Sequence, residues 1–128
     1  MLASAIADLC NSIMSLDKGV RFAGIANTEA HLIEAVYRND VIPLLTRQES
    51  EISILQSLIR MGTRGRLESK LGKTIYAFAW YEKVKRVTIP LRSGSEITHI
   101  LLISFDLDVA HDSIVMEKIV PRLENLVL

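Results

Sequence analysis

Apolar residues recur every three or four positions in three parts of the chain, and this spacing predicts three amphipathic helices. The first helix ends before Gly19, and the second begins after Thr46. Thr46 and Glu49 form a capping-box pair, in which each side chain accepts the backbone N–H of the other residue. The third helix is predicted to have Asp112 as its N-cap, and Pro121 is expected to kink it or to end its first half. The apolar positions of the three helices are Leu2, Ile6, Leu9, Ile13 and Leu16; Ile52, Ile54, Leu55, Leu58, Ile59 and Met61; and Ile114, Val115, Ile119, Leu123, Leu126 and Val127.

Five shorter apolar stretches lack helical spacing and predict β-strands. They are residues 20–27, 31–37, 74–81, 84–91 and 97–105. The third stretch is apolar on both faces, as in a central strand, whereas the fourth alternates as a half-exposed strand does. Gly24, inside the first stretch, predicts a bulge or a close approach of the backbone.

The order of these elements predicts an α+β fold with the sequence α-β-β-α-β-β-β-α. A five-stranded antiparallel sheet in the order 2-1-5-4-3 fits this order, with the middle helix on one face and the terminal helices on the other. The element order and the segment at residues 18–36, KGVRFAGIANTEAHLIEAV, resemble the roadblock domain family, a branch of the profilin-like folds. The part of this segment that reads RFAGIANTEAHLI is similar to an uncharacterised archaeal group of roadblock-like proteins.

The resemblance covers essentially the whole chain, so residues 1–128 are expected to form one domain. It implies a non-enzymatic interaction module, a scaffold or regulator of small GTPases in signalling. PAS-like sensor domains share the five-stranded sheet and supply the alternative, a small-molecule sensor. They usually place their helices between the second and third strands, and the leading and trailing helices of this chain favour the roadblock architecture.

The resemblance also implies a homodimer that pairs the third strand and the middle helix with those of a second copy. In this chain the third strand is apolar and would lie at a sheet edge, where unpaired backbone groups invite pairing. A two-fold dimer would cover that edge. The predicted dimer interface consists of Ile52, Leu55, Ile59, Ile75, Tyr76, Phe78 and Trp80.

Composition narrows the class of protein. The chain has 128 residues, of which 49% are hydrophobic and 23% charged, with a formal net charge of zero, so it is neither disordered nor globally basic. A single cysteine excludes an internal disulfide and, with no signal peptide recognised and no apolar stretch long enough to span a bilayer, predicts a cytoplasmic protein. The mean hydropathy of +0.27 indicates more apolar side chains than one small core needs, and an interface would use them.

Positive charge is concentrated in the middle of the sequence. Residues 60–86 contain eight basic and two acidic residues, whereas both flanking segments are net acidic. This concentration predicts either an ordinary solvated surface or a docking surface for a small GTPase or another acidic protein surface. Nucleic acid is not the expected partner, because nothing resembles an RNP motif. The candidate docking residues are Arg60, Arg64, Arg66, Lys70, Lys83, Lys85 and Arg86.

No nucleophile, base and orienting group fall together in the sequence, so we expect neither an enzyme nor a cofactor. Cys10 lies among apolar helix positions and is expected to be inert packing. Asp106, Asp108, His111 and Asp112 leave two readings open, a divalent-cation site or a solvated loop in which Asp112 caps a helix.

A ligand-binding sensor would place polar residues where a strand otherwise faces the core. The candidates for that role on the last strand are Thr98, His99 and Ser104, and the alternative is that they occupy edge or surface positions.

Overall fold

The computed structural model describes residues 2–124 and 126. The strands are β1 Val20–Asn27, β2 Leu32–Tyr37, β3 Ala77–Trp80, β4 Lys85–Ser93 and β5 Glu96–Phe105. They form one antiparallel sheet in the order β2-β1-β5-β4-β3, which confirms the predicted α+β fold and strand order. The helices are α1 Leu2–Met14, α2 Arg47–Gly65, α3 Glu68–Leu71, α4 His111–Ser113 and α5 Val120–Leu123, with a π-helix at Ile114–Ile119. Among these described helices, none has the length and apolar character needed to cross a membrane.

The two faces of the sheet carry separate hydrophobic cores, because side chains alternate along each strand. In β5, Leu101, Ile103 and Phe105 pack against α1 and the C-terminal helices, on what we term the terminal-helix face. Ile100 and Leu102 pack on the opposite side beneath α2, on the α2 face. The predicted arrangement of the helices about the sheet is therefore confirmed.

The turn between β1 and β2 is held by the side chain of Asn27. Its Oδ1 accepts hydrogen bonds of 3.0 Å from the backbone N–H groups of Glu29 and His31. Within β1, a Cβ at Gly24 would lie 3.0 Å from the carbonyl oxygen of Glu34 on the neighbouring strand. The predicted close approach of the backbone at Gly24 is confirmed.

Strand β3 is shorter than predicted and lies at the edge of the sheet. It pairs with β4 up to Ala77, which lies opposite Thr88. Pro90 lies two residues beyond Thr88 in β4, where the described part of β4 pairs with β5 and no longer with β3. Proline has no backbone N–H to donate, and no β3 carbonyl needs one at this position. The predicted edge position is confirmed, but burial on both faces is wrong, since Phe78 and Trp80 are 39% and 64% exposed.

Strand β4 is more buried than its alternating sequence predicts. Lys85 is only 6% exposed, and its Nζ donates a 2.8 Å hydrogen bond to the carbonyl oxygen of Val109. The loop that precedes α4 supplies this acceptor and lies over the start of β4. Lys85 therefore does not present its charge on an exposed basic patch, and the sequence prediction for this residue is corrected.

The C-terminal helix differs from the prediction at its start. Ala110 occupies the N-cap position without a side-chain hydrogen bond, so the prediction that Asp112 caps the helix is wrong. The Asp112 carboxylate instead accepts a hydrogen bond from the Tyr76 hydroxyl. The π-helix directly precedes the turn that contains Pro121, and its wider turn makes room for a proline ring that would otherwise crowd the carbonyl four residues earlier.

Helix α2 begins with the predicted capping box. The backbone N–H of Glu49 donates to Thr46 Oγ1 at 3.1 Å, and the backbone N–H of Thr46 donates to Glu49 Oε1 at 2.9 Å. The helix continues through Gly62 and ends at Gly65. The predicted apolar helix position Val127 lies outside the described residues.

Candidate interaction surfaces

The outer edge of β3 has no partner strand among the described residues. Phe78 and Trp80 project onto the terminal-helix face, because they lie opposite Val87 and Lys85 of β4. Ala79 lies between them, projects onto the α2 face and is exposed. Open N–H and C=O groups on an edge strand favour pairing with another strand.

Aromatic contacts fasten β3 to the rest of the chain. The Phe78 ring stacks on His111, with ring centroids 3.9 Å apart and planes 6° apart. The ammonium group of Lys85 lies 4.2 Å from the centroid of the Trp80 ring, a cation–π contact that stabilises a buried charge. Phe78 and Trp80, two of the three aromatic residues of the predicted dimer interface, thus already have contacts within the chain, although each keeps an exposed surface.

Two titratable groups beside β3 have shifted pKa values. The hydrogen bond to Asp112 raises the pKa of the Tyr76 hydroxyl, and partial burial adds to the effect. Burial lowers the pKa of His111, the positive charge of Lys85 lowers it further, and Asp112 partly opposes both. Because this pKa is lowered, the neutral imidazole is the main form of His111 at pH 7.

The three α2 residues of the predicted dimer interface are exposed and lie on one side of the helix. Ile52, Leu55 and Ile59, which we term the α2 stripe, are 53%, 50% and 61% exposed. Successive helix residues are about 100° apart, so the stripe lies roughly opposite the buried side chains of Ile54 and Met61 and points away from the sheet.

The opposite flank of α2 faces the sheet. Ser50 on that flank lines a crevice together with Arg86 and Thr88 of β4. The α2 stripe therefore points away from the sheet on the α2 face, whereas Phe78 and Trp80 lie on the other face at the β3 edge. The structure does not join the helix and strand parts of the predicted interface into one continuous patch.

The predicted basic patch is divided among three places. Four of its residues lie toward the C-terminal end of α2 and around α3, two line a groove near the N-terminal end of α2, and one is buried. These are Arg60, Arg64, Arg66 and Lys70; Lys83 and Arg86; and Lys85, respectively. About 21 Å of α-helix separate Ser50, beside the groove, from Arg64.

A groove of about 470 Å³ opens on the α2 face near the start of α2. The loop at residues 41–45 and the β3–β4 hairpin at residues 81–84 line it from two sides. Phe22 and Tyr37 line it as well, with ring centroids 4.8 Å apart. Its lining is mostly apolar, and its volume falls within the range of small-molecule sites. The sequence patterns did not predict this groove, although the apolar run VIPLL at residues 41–45 indicates an apolar loop.

The charged residues of the groove are Arg21, Glu82, Lys83 and Arg86. Arg21 is tied to Asp106 by a 3.3 Å ion pair. Among the described residues, no carboxylate lies within ion-pairing distance of Lys83 or Arg86. The groove therefore combines an apolar lining with positive charge that has no partner in the described chain.

The four residues considered as a cation site do not converge on one point. Asp106 accepts a 2.7 Å hydrogen bond from Arg38, which holds the pKa of that carboxyl below its usual range. Asp112 and His111 are engaged with Tyr76 and Phe78, as described above. Across residues 2–124 and 126, no group of three or more His, Cys, Asp and Glu side chains is arranged to hold a metal ion.

The remaining candidate residues have local roles. The Oγ1 atom of Thr98 lies 3.0 Å from His99 Nδ1, and Ser104 lines the groove. Cys10 is fully buried, and this burial, with a smaller contribution from Glu34, raises the pKa of the thiol to about 12. The thiolate form that nucleophilic chemistry requires is thus absent near neutral pH.

Solved structures with the same fold include roadblock proteins. MglB of Myxococcus xanthus superposes with a TM-score of 0.65 at 14% identity, covering 94% of this chain and 86% of that one. A Roadblock/LC7 domain from Streptomyces avermitilis gives 0.62 at 8% identity, covering 89% and 90%. An IclR homolog from Microbacterium hydrocarbonoxydans, solved in complex with 4-hydroxybenzoate, gives 0.61 at 11% identity, covering 96% and 66%. No protein-family model and no curated protein matches the chain. The similarity to these solved structures establishes a roadblock-type fold.

Proposed function

We propose that this chain is a non-enzymatic interaction module that forms a homodimer and serves as a scaffold or regulator of a small GTPase in the cytoplasm. The open edge of β3 is the observation that supports this proposal most directly. The GTPase and the placement in an archaeal group of roadblock-like proteins rest on the sequence resemblance described above. Residues 1–128 act as one domain in this proposal.

Pairing of β3 with its own copy would satisfy its free backbone groups. A two-fold axis beside β3 would align the strand antiparallel with its partner and join two five-stranded sheets into one. The same contact would cover the exposed parts of Ile75, Phe78 and Trp80. Exposed Ala79 leaves space for a neighbouring chain on the α2 face of the seam.

A second protein would use surfaces that the seam leaves open. The α2 stripe points away from the sheet on the α2 face, whereas Phe78 and Trp80 of the seam project onto the other face. The basic residues around the end of α2, Arg60, Arg64, Arg66 and Lys70, would favour an acidic partner. The α2 stripe is then a docking surface in the dimer, or the helical part of its interface if α2 shifts on association.

Light scattering coupled to gel filtration tests the dimer. We expect twice the chain mass of 14.3 kDa at micromolar concentration. Ala79→Lys adds a charge at the seam without removing a buried side chain, so it should weaken self-association at least tenfold. Ala3→Lys, on the exposed surface of α1, is the matched control and should remain dimeric.

Two results would overturn the proposed dimer. The first is a monomeric wild-type protein at these concentrations. The second is a dimer that survives both Ala79→Lys and Phe78→Lys, because β3 would then not form the seam.

A second candidate function is a small-molecule sensor. The groove on the α2 face favours it, and so does the fold shared with an IclR homolog solved with 4-hydroxybenzoate. Native mass spectrometry of the purified chain should then detect a bound small molecule. A chain that carries no such mass and remains dimeric would favour the interaction module.

A further inference from the structure

We propose that the groove between residues 41–45 and the β3–β4 hairpin binds a small, flat, apolar molecule that carries one carboxylate. This inference deepens the second candidate function and rests on it. It does not require the dimer.

The apolar half of the site comes from two adjacent segments. Phe22 and Tyr37 present a tilted pair of aromatic rings on the sheet. The loop above them places Pro43, Leu44 and Leu45 at the groove, with the two leucines 55% and 39% exposed. The loop and the aromatic rings thus line the same groove with exposed apolar surface. An apolar ligand that bound there would remove this surface from water.

The polar half of the site comes from the opposite wall. Arg86 projects from β4, and its guanidinium lies 5.9 Å from the centroid of the Tyr81 ring. A planar guanidinium can hold a carboxylate through two parallel hydrogen bonds. Lys83 adds a second cation, and the hydroxyl of Ser104 lines the same groove.

Charge distinguishes an anionic ligand from a neutral one. The groove contains Glu82 as its one carboxylate among the described lining residues, against three cations. Arg21 is neutralised by Asp106, so Arg86 and Lys83 supply the uncompensated charge. A volume of about 470 Å³ suits a compact ligand rather than a folded partner.

A matched pair of probes tests the inference. We would titrate the wild-type protein with 2-naphthoate and with neutral 2-naphthalenemethanol, and follow backbone amide shifts by NMR. Saturable shifts for 2-naphthoate are expected at residues 37–50, 81–86 and 104. Its affinity should exceed that of the neutral probe about tenfold, because a hydrogen bond to a charged group is lost with the carboxylate.

Variants assign the charge contribution to one residue. Arg86→Gln should weaken binding of 2-naphthoate about tenfold and leave 2-naphthalenemethanol nearly unchanged, whereas Arg86→Lys should retain part of the preference. Arg64→Gln, at the far end of α2, is the matched control and should bind both probes as the wild type does. Leu44→Ser, in the exposed loop, should weaken both probes by a similar factor.

The outcomes separate this inference from the proposed dimer. Equal affinity for the two probes, shifts outside the groove, or no effect of Arg86→Gln would overturn the carboxylate site while the mass by light scattering stays that of a dimer. A monomer that binds 2-naphthoate as expected would overturn the dimer alone. If the amide shifts at the groove change with protein concentration and do not change with probe concentration, the occupant is a second copy of the chain. That result would also overturn the inference.

Discussion

The two faces of the sheet are covered to very different degrees. Among the described residues, sixteen buried residues form the core on the terminal-helix face, and six form the core beneath α2. Helix α1 and the C-terminal helices cover the first face, whereas α2 covers the second. The groove lies near the start of α2, and the α2 stripe lies on the exposed surface of that helix, so both are accessible on the second face.

This difference indicates where stability and function reside. A side chain on the terminal-helix face is held on several sides by α1 and the C-terminal helices, so a smaller residue there leaves a cavity. The α2 face has fewer buried residues, and a groove opens near the start of the helix. Surfaces for partners or ligands are expected on the face that folding has covered least.

Adjacent leucines of β5 test this contrast directly, because Leu101 and Leu102 point to opposite faces of the same strand. Both Leu101→Ala and Leu102→Ala should destabilise the chain by about 2–5 kcal/mol, with Leu101→Ala at the upper end. Leu101 is fully buried on the closed face, so its cavity collapses less. Urea unfolding measures both free energies, and equal losses would show that α2 closes its face as completely as the terminal helices do.

The capping box tests how far the α2 face depends on its helix. Thr46→Ala removes the acceptor of the Glu49 N–H and should cost about 1 kcal/mol. Hydrogen exchange should rise in the first turns of α2 and remain unchanged in α1. Thr63 is also an exposed threonine of α2, so Thr63→Ala is the control and should have little effect. Equal acceleration in α1 would mean that the two faces open together.

The smallest expected effect concerns pH and the edge of the closed face. Because burial lowers the pKa of His111 in the folded state, the unfolded chain binds more protons below about pH 6.5, and stability falls as pH falls through that range. His111→Phe keeps an aromatic ring against Phe78 and should flatten this slope in thermal unfolding between pH 7 and pH 5. At pH 8, where the imidazole is neutral in both states, the two proteins should differ little. An unchanged slope would mean that His111 is not the group responsible.

Local sequence signals determined the elements and their order. Helical spacing placed α1 and α2, the Thr46–Glu49 pair placed the start of α2, and strand 20–27 has the bounds that its flanking residues predict. These features depend on contacts between residues a few positions apart, so periodicity and capping chemistry are sufficient to find them. The strand order followed from the arrangement of the elements and its resemblance to the roadblock family.

Tertiary structure decided which polar residues are exposed and which surfaces exist. The sequence predicts Lys85 as a surface cation. Folding brings the Val109 carbonyl and the Trp80 ring next to its ammonium group, and these contacts allow its burial. The sequence predicts Asp112 as a helix cap, but its carboxylate accepts a hydrogen bond from Tyr76, which is 36 residues away in the chain. The groove likewise joins four separate segments of the chain, and the seven predicted interface residues are divided between two faces. The sequence by itself determined the local elements, because their causes are local; the surfaces depend on contacts between distant residues that only the folded chain brings together.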